Sequence, residues 1–337
     1  MMPEYNDPVS AKVQKKPLLI CLSATRNYGW VTRTFCHANS QWADYIIIVD
    51  QMSTDETRSI CAEYKNVIVV DDHDLSYSET RRSIMALNRA REIEGDKILI
   101  YLAIDEVLPA NWMSTNDGQK ILQSKPTDMF LLDWANLLPD NKHCKMVRQD
   151  DMYRIFHDDG ITEYDNLGKD MHTACLPYYR GGMEYKISDF PILHFGIYNT
   201  KFQYVKLRYY QMVDYDKNHR SIVALSRYYN RPLEGDFWQG RDAVKPEWLW
   251  KEFDLFSLVD LETPPLLVAE CQKFIKERGI KRYARLDMWD ETMLNYLQIS
   301  DPRPLWIKVL HKYFHITQKY NKNILVRAVD KVLKYFI

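Results

Sequence analysis

Four short apolar runs, each of strand length and each stopped by polar residues, alternate with helical segments over the first hundred residues. Residues 17–22 (PLLICL) give way to the polar stretch 23–27, and residues 45–49 (YIIIV) stop at Asp50. Residues 66–70 (NVIVV) form the third run, and residues 97–104 (KILIYLAI) end at Asp105 and Glu106. Continuous β-branched runs of this kind suit strands covered on both faces. Helices are expected at about 30–41, from the cap at residues 53–56 to about Tyr64, and over the charged amphipathic segment 78–94. Strand and helix in alternation predict an α/β, Rossmann-like, mostly parallel sheet flanked by helices. In such sheets ligands bind outside the carboxyl ends of the strands, so Thr25, Asp50 and Asp105 are expected to converge.

Further strands are expected at 128–133 and 152–156, with a short apolar segment at 191–196 and a helix from Thr200 to about Asp214. Beyond about residue 235 the chain turns Trp-rich and then helical, including 264–278 and a long helix over 304–337. The expected organisation is a loose lead-in over 1–16, a catalytic α/β domain over 17–235 and a mainly helical C-terminal extension over 236–337. That suits 337 residues, since domains typically hold 100 to 200.

The net charge of -1 leaves no global field to draw the chain onto nucleic acid, which is not an expected partner. Six scattered cysteines without a C-x-x-C pair argue against a structural zinc site and a disulfide framework, and fit a reducing cytosol. No apolar run approaches the length of a membrane span. From residue 301 onward, eight Lys and Arg face only Asp301 and Asp330, a net of +6, interleaved with Ile324, Leu325, Val329, Val332 and Leu333. Such a helix either lies at an anionic membrane surface or packs its apolar stripe on the catalytic domain.

Two stretches carry a family resemblance. Residues 43–57 (ADYIIIVDQMSTDET) are similar to the V-D-D-G-S-T-D-x-T motif, and residues 100–109 (IYLAIDEVLP) to the L-D-A-D-E-x-L-P motif, of family-two glycosyltransferases of the GT-A fold. The resemblance covers roughly 17–210, and looser matches around residues 147–156 and 170–173 point to the bacterial polysaccharide and lipopolysaccharide members. It implies transfer of a sugar from a nucleotide-diphosphate donor to a glycan or lipid-linked acceptor, with inversion and with Mg²⁺ or Mn²⁺, in the cytoplasm at the inner face of the membrane.

By that resemblance, Asp105 is the leading metal ligand, joined by Glu106 and by His194, while the family's first D-x-D carboxylate falls at Ala103. Asp50 would approach the base or ribose, with Thr25 and Arg26 making further nucleotide contacts. Ser53 and Asp55 would belong to the same donor-binding loop, Asp55 by ordering it, or else only cap the following helix. Arg82, chosen over Arg81, would face the diphosphate. Thr173 stands where the pattern has its Glu, so the acceptor's base is sought among Asp170, Glu163, Glu184 and Asp189, with Asp189 preferred because it adjoins the segment leading to His194. His172 is a weaker ligand that would orient substrate. Trp134, Trp238 and Trp248 are candidates for packing a sugar ring. The rival expectations are a degenerate member that binds glycan or nucleotide without catalysis, motivated by Ala103 and Thr173, and a nucleotidyltransferase, whose glycine-rich phosphate loop is missing after Leu22.

Overall fold

A computed structural model describes residues 16–150, 152–164, 175–230, 241–261 and 267–336. It is a mixed α/β structure with a parallel-rich central sheet flanked by helices, as the alternation of runs predicts. The sheet holds seven strands. The first four are β1 (Leu18–Thr25), β2 (Tyr45–Asp50), β3 (Val67–Asp71) and β4 (Lys97–Tyr101); with β6 (Met129–Leu131), β9 (Tyr153–His157) and β10 (Glu184–Lys186) they lie in the order β10-β6-β9-β4-β1-β2-β3. β9 runs antiparallel to both of its neighbours, and the other pairings are parallel.

The two-residue period of a strand divides its side chains between two cores. Leu19, Cys21, Ile46, Ile48, Ile98 and Ile100 pack on α1 (Gly29–Asn39) and α2 (Thr57–Ala62) through Phe35, Cys36 and Cys61. Ile20, Leu22, Ile47, Val49 and Leu99 point the other way, onto Ala86, Leu87 and Ala90 of α3 (Glu79–Arg91). Ile46, Ile47, Ile48 and Val49 are all fully buried, and each such side chain contributes about 1.5–3 kcal/mol on leaving water.

A second sheet follows the order β12-β8-β7-β11-β5. Its strands are β5 (Glu106–Val107), β7 (Trp134–Leu137), β8 (His143–Val147), β11 (Ile192–His194) and β12 (Asp242–Ala243). β5 pairs antiparallel with β11, setting His194 opposite Glu106, and β11 pairs parallel with β7, setting His194 opposite Asn136. In the chain, α4 (Asn116–Leu122) falls between β5 and β6.

The helical layer begins at α5 (Thr200–Asn218) and α6 (Ile222–Asn230), ahead of the 235/236 boundary expected from composition. Both share a core with α7 (Leu267–Arg278), α8 (Ile280–Tyr283) and α9 (Glu291–Leu297), built on Met212, Leu225, Cys271, Tyr283, Trp289 and Met293. The expected single helix over 304–337 is two: α10 (Leu305–Thr317) and α11 (Ile324–Phe336). The break falls where Asn323 turns its side-chain oxygen onto the N–H of Leu325 (2.8 Å), a local bond that competes with helix continuation. No helix among the described residues is long and apolar enough to cross a membrane.

Candidate active site

In this sheet order the chain turns away from β1 in both directions, toward β2 on one side and β4 on the other, so the crevice between the ends of β1 and β4 is a topological switch point. A cavity of about 270 Å³ opens there. Ala24, Arg26 and Asn27 reach it from the end of β1, and Ala103, Ile104 and Asp105 from the end of β4. Arg82, Arg154, His194 and Lys206 complete its polar wall, with Trp134 and Tyr210 among its flat apolar surfaces.

Asp105 and Glu106, adjacent in sequence, have different surroundings. Glu106 is buried, and its two oxygens accept the Ala103 N–H (2.8 Å) and an Arg154 N–H (3.1 Å). These bonds close the turn after β4 and use both oxygens within the protein, so the metal-ligand role expected of Glu106 does not fit its position. Asp105 is 3% exposed, and its Oδ2 lies 3.2 Å from the Lys206 Nζ and 3.6 Å from the His194 Nε2. Burial alone would raise the Asp105 pKa, but Lys206 and then His194 outweigh it and hold this carboxyl below its usual range.

His194 is oriented from behind. Its Nδ1 donates to the Asn136 Oδ1 (2.7 Å), its cross-strand neighbour, which turns Nε2 toward Asp105. Trp134 lies beside the ring at 5.0 Å. A Cβ on Gly196 would sit 2.5 Å from the imidazole, so this close approach requires glycine.

Lys206 comes from α5, whose start is capped by the Asn199 side chain accepting the Phe202 N–H (3.0 Å). Phe202, one turn before Lys206, packs edge-on against Tyr28 at 4.8 Å and fixes the helix across the start of α1. The Lys206 ammonium then lies 5.4 Å from the Tyr28 ring centre and 5.8 Å from that of Tyr210. Burial works against its charge, yet Asp105 and the flanking tyrosines hold its pKa well above the ordinary lysine value. Sequence reasoning missed this lysine. The signal was a cation at helical spacing from the aromatic residues Phe202, Tyr209 and Tyr210.

The remaining expected residues divide. Arg26 lines the cavity and pairs with Glu270 of α7 at 2.7 Å. Arg82 lines it too, 8% exposed, over the Tyr77 ring at 5.0 Å and without a carboxylate partner among the described residues. Arg81 instead binds Asp72 and Asp74 (both 2.8 Å). Thr25 is buried at the end of β1 and does not line the cavity, and its Oγ1 has no hydrogen-bond partner among the described residues. Asp50 pairs with Arg58 (2.8 Å) and accepts from both the N–H and the hydroxyl of Ser53, so Gln51, not Asp50, reaches the cavity wall. Ser53 also accepts the Asn27 N–H (2.8 Å), while Asp55 accepts those of Gly29 (2.8 Å) and Thr57 (3.0 Å); both order the loop before α1 and α2.

Asp189 does not fit the role of base at this site. It accepts the Asp117 N–H (2.9 Å) at the start of α4 and lines a separate cavity with Trp248. Glu184 accepts the hydroxyls of Tyr153 and Tyr178, and Glu163 is exposed; neither lines the Asp105 cavity. Asp170, His172, Thr173 and Trp238 lie outside the described residues. The cavity carboxylates that sequence reasoning missed are Glu79 and Glu270.

The donor set for a divalent cation is thin. Among the described residues no three His, Cys, Asp or Glu side chains come together as a metal site. Asp105 and His194 face each other, but Ala103 has no ligand atom, Glu106 is engaged elsewhere, and the Lys206 ammonium stands against the same Asp105 oxygen. Among the described residues, then, the side chains by themselves do not make a site that holds a cation without phosphate oxygens.

No family model and no curated relative matches the chain. Among solved structures it is similar to glucosyl-3-phosphoglycerate synthase from Mycobacterium tuberculosis in complex with Mn²⁺, uridine diphosphate and glucosyl-3-phosphoglycerate, at 15% identity and a TM-score of 0.26, covering 35% of this chain and 44% of that one. The chain thus spans less than half the length of that enzyme. It is also similar to S. aureus TarS, at 12% identity and a TM-score of 0.39, covering 83% of each chain. At these scores the likenesses fix neither family nor chemistry.

Proposed function

We propose that the chain binds a nucleotide-diphosphate sugar at the β1/β4 switch point and transfers the sugar to a hydroxyl of a glycan or lipid-linked acceptor. The observation that carries this reading is the position of Arg82, a buried guanidinium with no carboxylate partner among the described residues, in the crevice where open parallel sheets hold nucleotides. A guanidinium fork matches two phosphate oxygens, and Arg26 and Arg154 stand in the same wall. Trp134 and Tyr210 offer faces on which a base or a sugar ring packs.

In an inverting transfer the acceptor oxygen bonds to the anomeric carbon from the side opposite the diphosphate. Its proton passes to a carboxylate, and the electron pair of the broken carbon–oxygen bond leaves on the diphosphate. Glu79 and Glu270, the cavity carboxylates outside the Asp105–Glu106 turn, supply the base in this reading. The lipid-linked class of acceptor draws support from α10 and α11, which expose Leu305 (77%), Ile324 (81%) and Tyr335 (80%) beside the basic residues of a tail with net charge +6. Each Lys or Arg near an anionic surface contributes about 1 kcal/mol.

The test is a thermal-shift screen against UDP-, GDP- and dTDP-sugars with CMP-sugars as the monophosphate control, followed by assay of donor consumption. One diphosphate class should raise the melting temperature, because a ligand at about 100 times its Kd stabilises the native state by about 2.7 kcal/mol. Asp105→Asn should retain the fold and lose turnover. No shift with any donor in folded protein rejects the reading, and a shift without donor consumption assigns the chain to binding alone.

A further inference from the structure

The geometry points to Lys206 as the group that neutralises the donor's diphosphate, in the place a divalent cation would take. The inference rests on the proposed donor site. Three observations carry it. The ammonium lies 3.2 Å from Asp105 Oδ2, the one carboxylate at the end of β4 with no hydrogen bond to backbone or arginine among the described residues. It is held in a fixed place between the Tyr28 and Tyr210 rings on a helix pinned by Phe202. The second carboxylate of the turn, Glu106, is committed to Ala103 and Arg154, so the turn presents one carboxylate and one fixed positive charge.

A cation in such a site has to be held by the protein and to face the phosphate oxygens. The ammonium carries three N–H donors, and the contact with Asp105 uses one. The Tyr28 hydroxyl stands as partner for a second, and the ammonium lines the same cavity as Arg82 and Arg154. As the anomeric carbon–oxygen bond breaks, its electron pair goes onto the departing diphosphate oxygen. The acceptor oxygen takes its place on the carbon, and the acceptor proton goes to the base. A fixed charge beside the departing oxygen stabilises that transition state without reorganisation. Asp105 acts here as a positioning residue, keeping the ammonium charged and aimed.

The test measures binding of UDP, GDP and inorganic pyrophosphate to the full chain by calorimetry, in EDTA and in Mn²⁺. Wild type should bind UDP or GDP in EDTA within about threefold of its affinity in Mn²⁺. Lys206→Met should weaken binding in EDTA about 10- to 100-fold, the range of one charge-assisted hydrogen bond, and Lys206→Arg should restore most of it. If Lys206→Met does not fold, the double variant Asp105→Asn/Lys206→Met removes both charges together and should show the same loss. Binding by wild type only when Mn²⁺ is present overturns the role of Lys206 while leaving the donor site standing. Equal affinity of wild type and the Met variant in EDTA does the same. No binding of any of the three probes in either buffer overturns the donor site and this inference together.

Discussion

Asp105 and Glu106 show how far apart in duty two neighbouring carboxylates can be. No property of the pair in sequence separates them, because the difference lies in Arg154, which is 48 residues away and reaches Glu106 through the antiparallel pairing of β9 with β4. The pair is buried, with side chains 4% and 1% exposed. Arg154→Met should therefore leave an uncompensated buried carboxylate and lower stability by about 3–5 kcal/mol in urea unfolding, whereas a loss below about 1 kcal/mol would mean the turn holds without this pair. Asp105 was legible as a chemical residue because it directly follows the apolar run at residues 98–104. Lys206 was not, since its place beside Asp105 depends on how α5 crosses the start of α1. Arg82 and Arg81 were separable only by helical phase: the former falls on the α3 face turned to the cavity, the latter on the turn at Asp72 and Asp74.

At the scale of elements, the central sheet was readable because each of its first four strands is a run rich in Ile, Val and Leu, buried in β1, β2 and β4 and half-buried in the edge strand β3. The second sheet was largely hidden. β5 and β12 are two residues long, and β7 and β8 carry Asn136 and Lys145 in place of a continuous apolar run, so only their long-range pairing makes them strands. The tail was half legible: its charge and apolar spacing were plain, its break into α10 and α11 was not. In the fold, Arg227 of α6 pairs with Asp330 at 2.8 Å, anchoring α11 by one side, while Ile324 and Leu325 remain 81% and 73% exposed. The double variant Ile324→Glu/Leu325→Glu should thus keep its melting temperature and lose about 10-fold or more of its binding to phosphatidylglycerol vesicles, by removal of apolar contact and addition of negative charge. Unchanged vesicle binding would exclude this face as the membrane contact.

For the molecule as a whole, α5 is the common member of the parts. It gives Phe202 and Val205 to the core of the second sheet and Leu207 and Met212 to the helical core, and it holds Lys206 against the end of β4. The α/β and helical parts therefore share one element that neither can release alone. Far-UV circular dichroism and tryptophan fluorescence should report coincident unfolding midpoints, and two separated transitions would show that the parts unfold independently.

The salt bridge between Arg26 and Glu270 spans 244 positions of sequence and closes one side of the cavity. On a ribosome adding 5–20 residues per second, the first half of that pair waits about 10 to 50 s for the second to be made. The sheet that frames the crevice is complete much earlier, since its last strand ends at Lys186. During synthesis Arg26 thus lacks its closing carboxylate until α7 is made, and this wall of the cavity is the last to arrive.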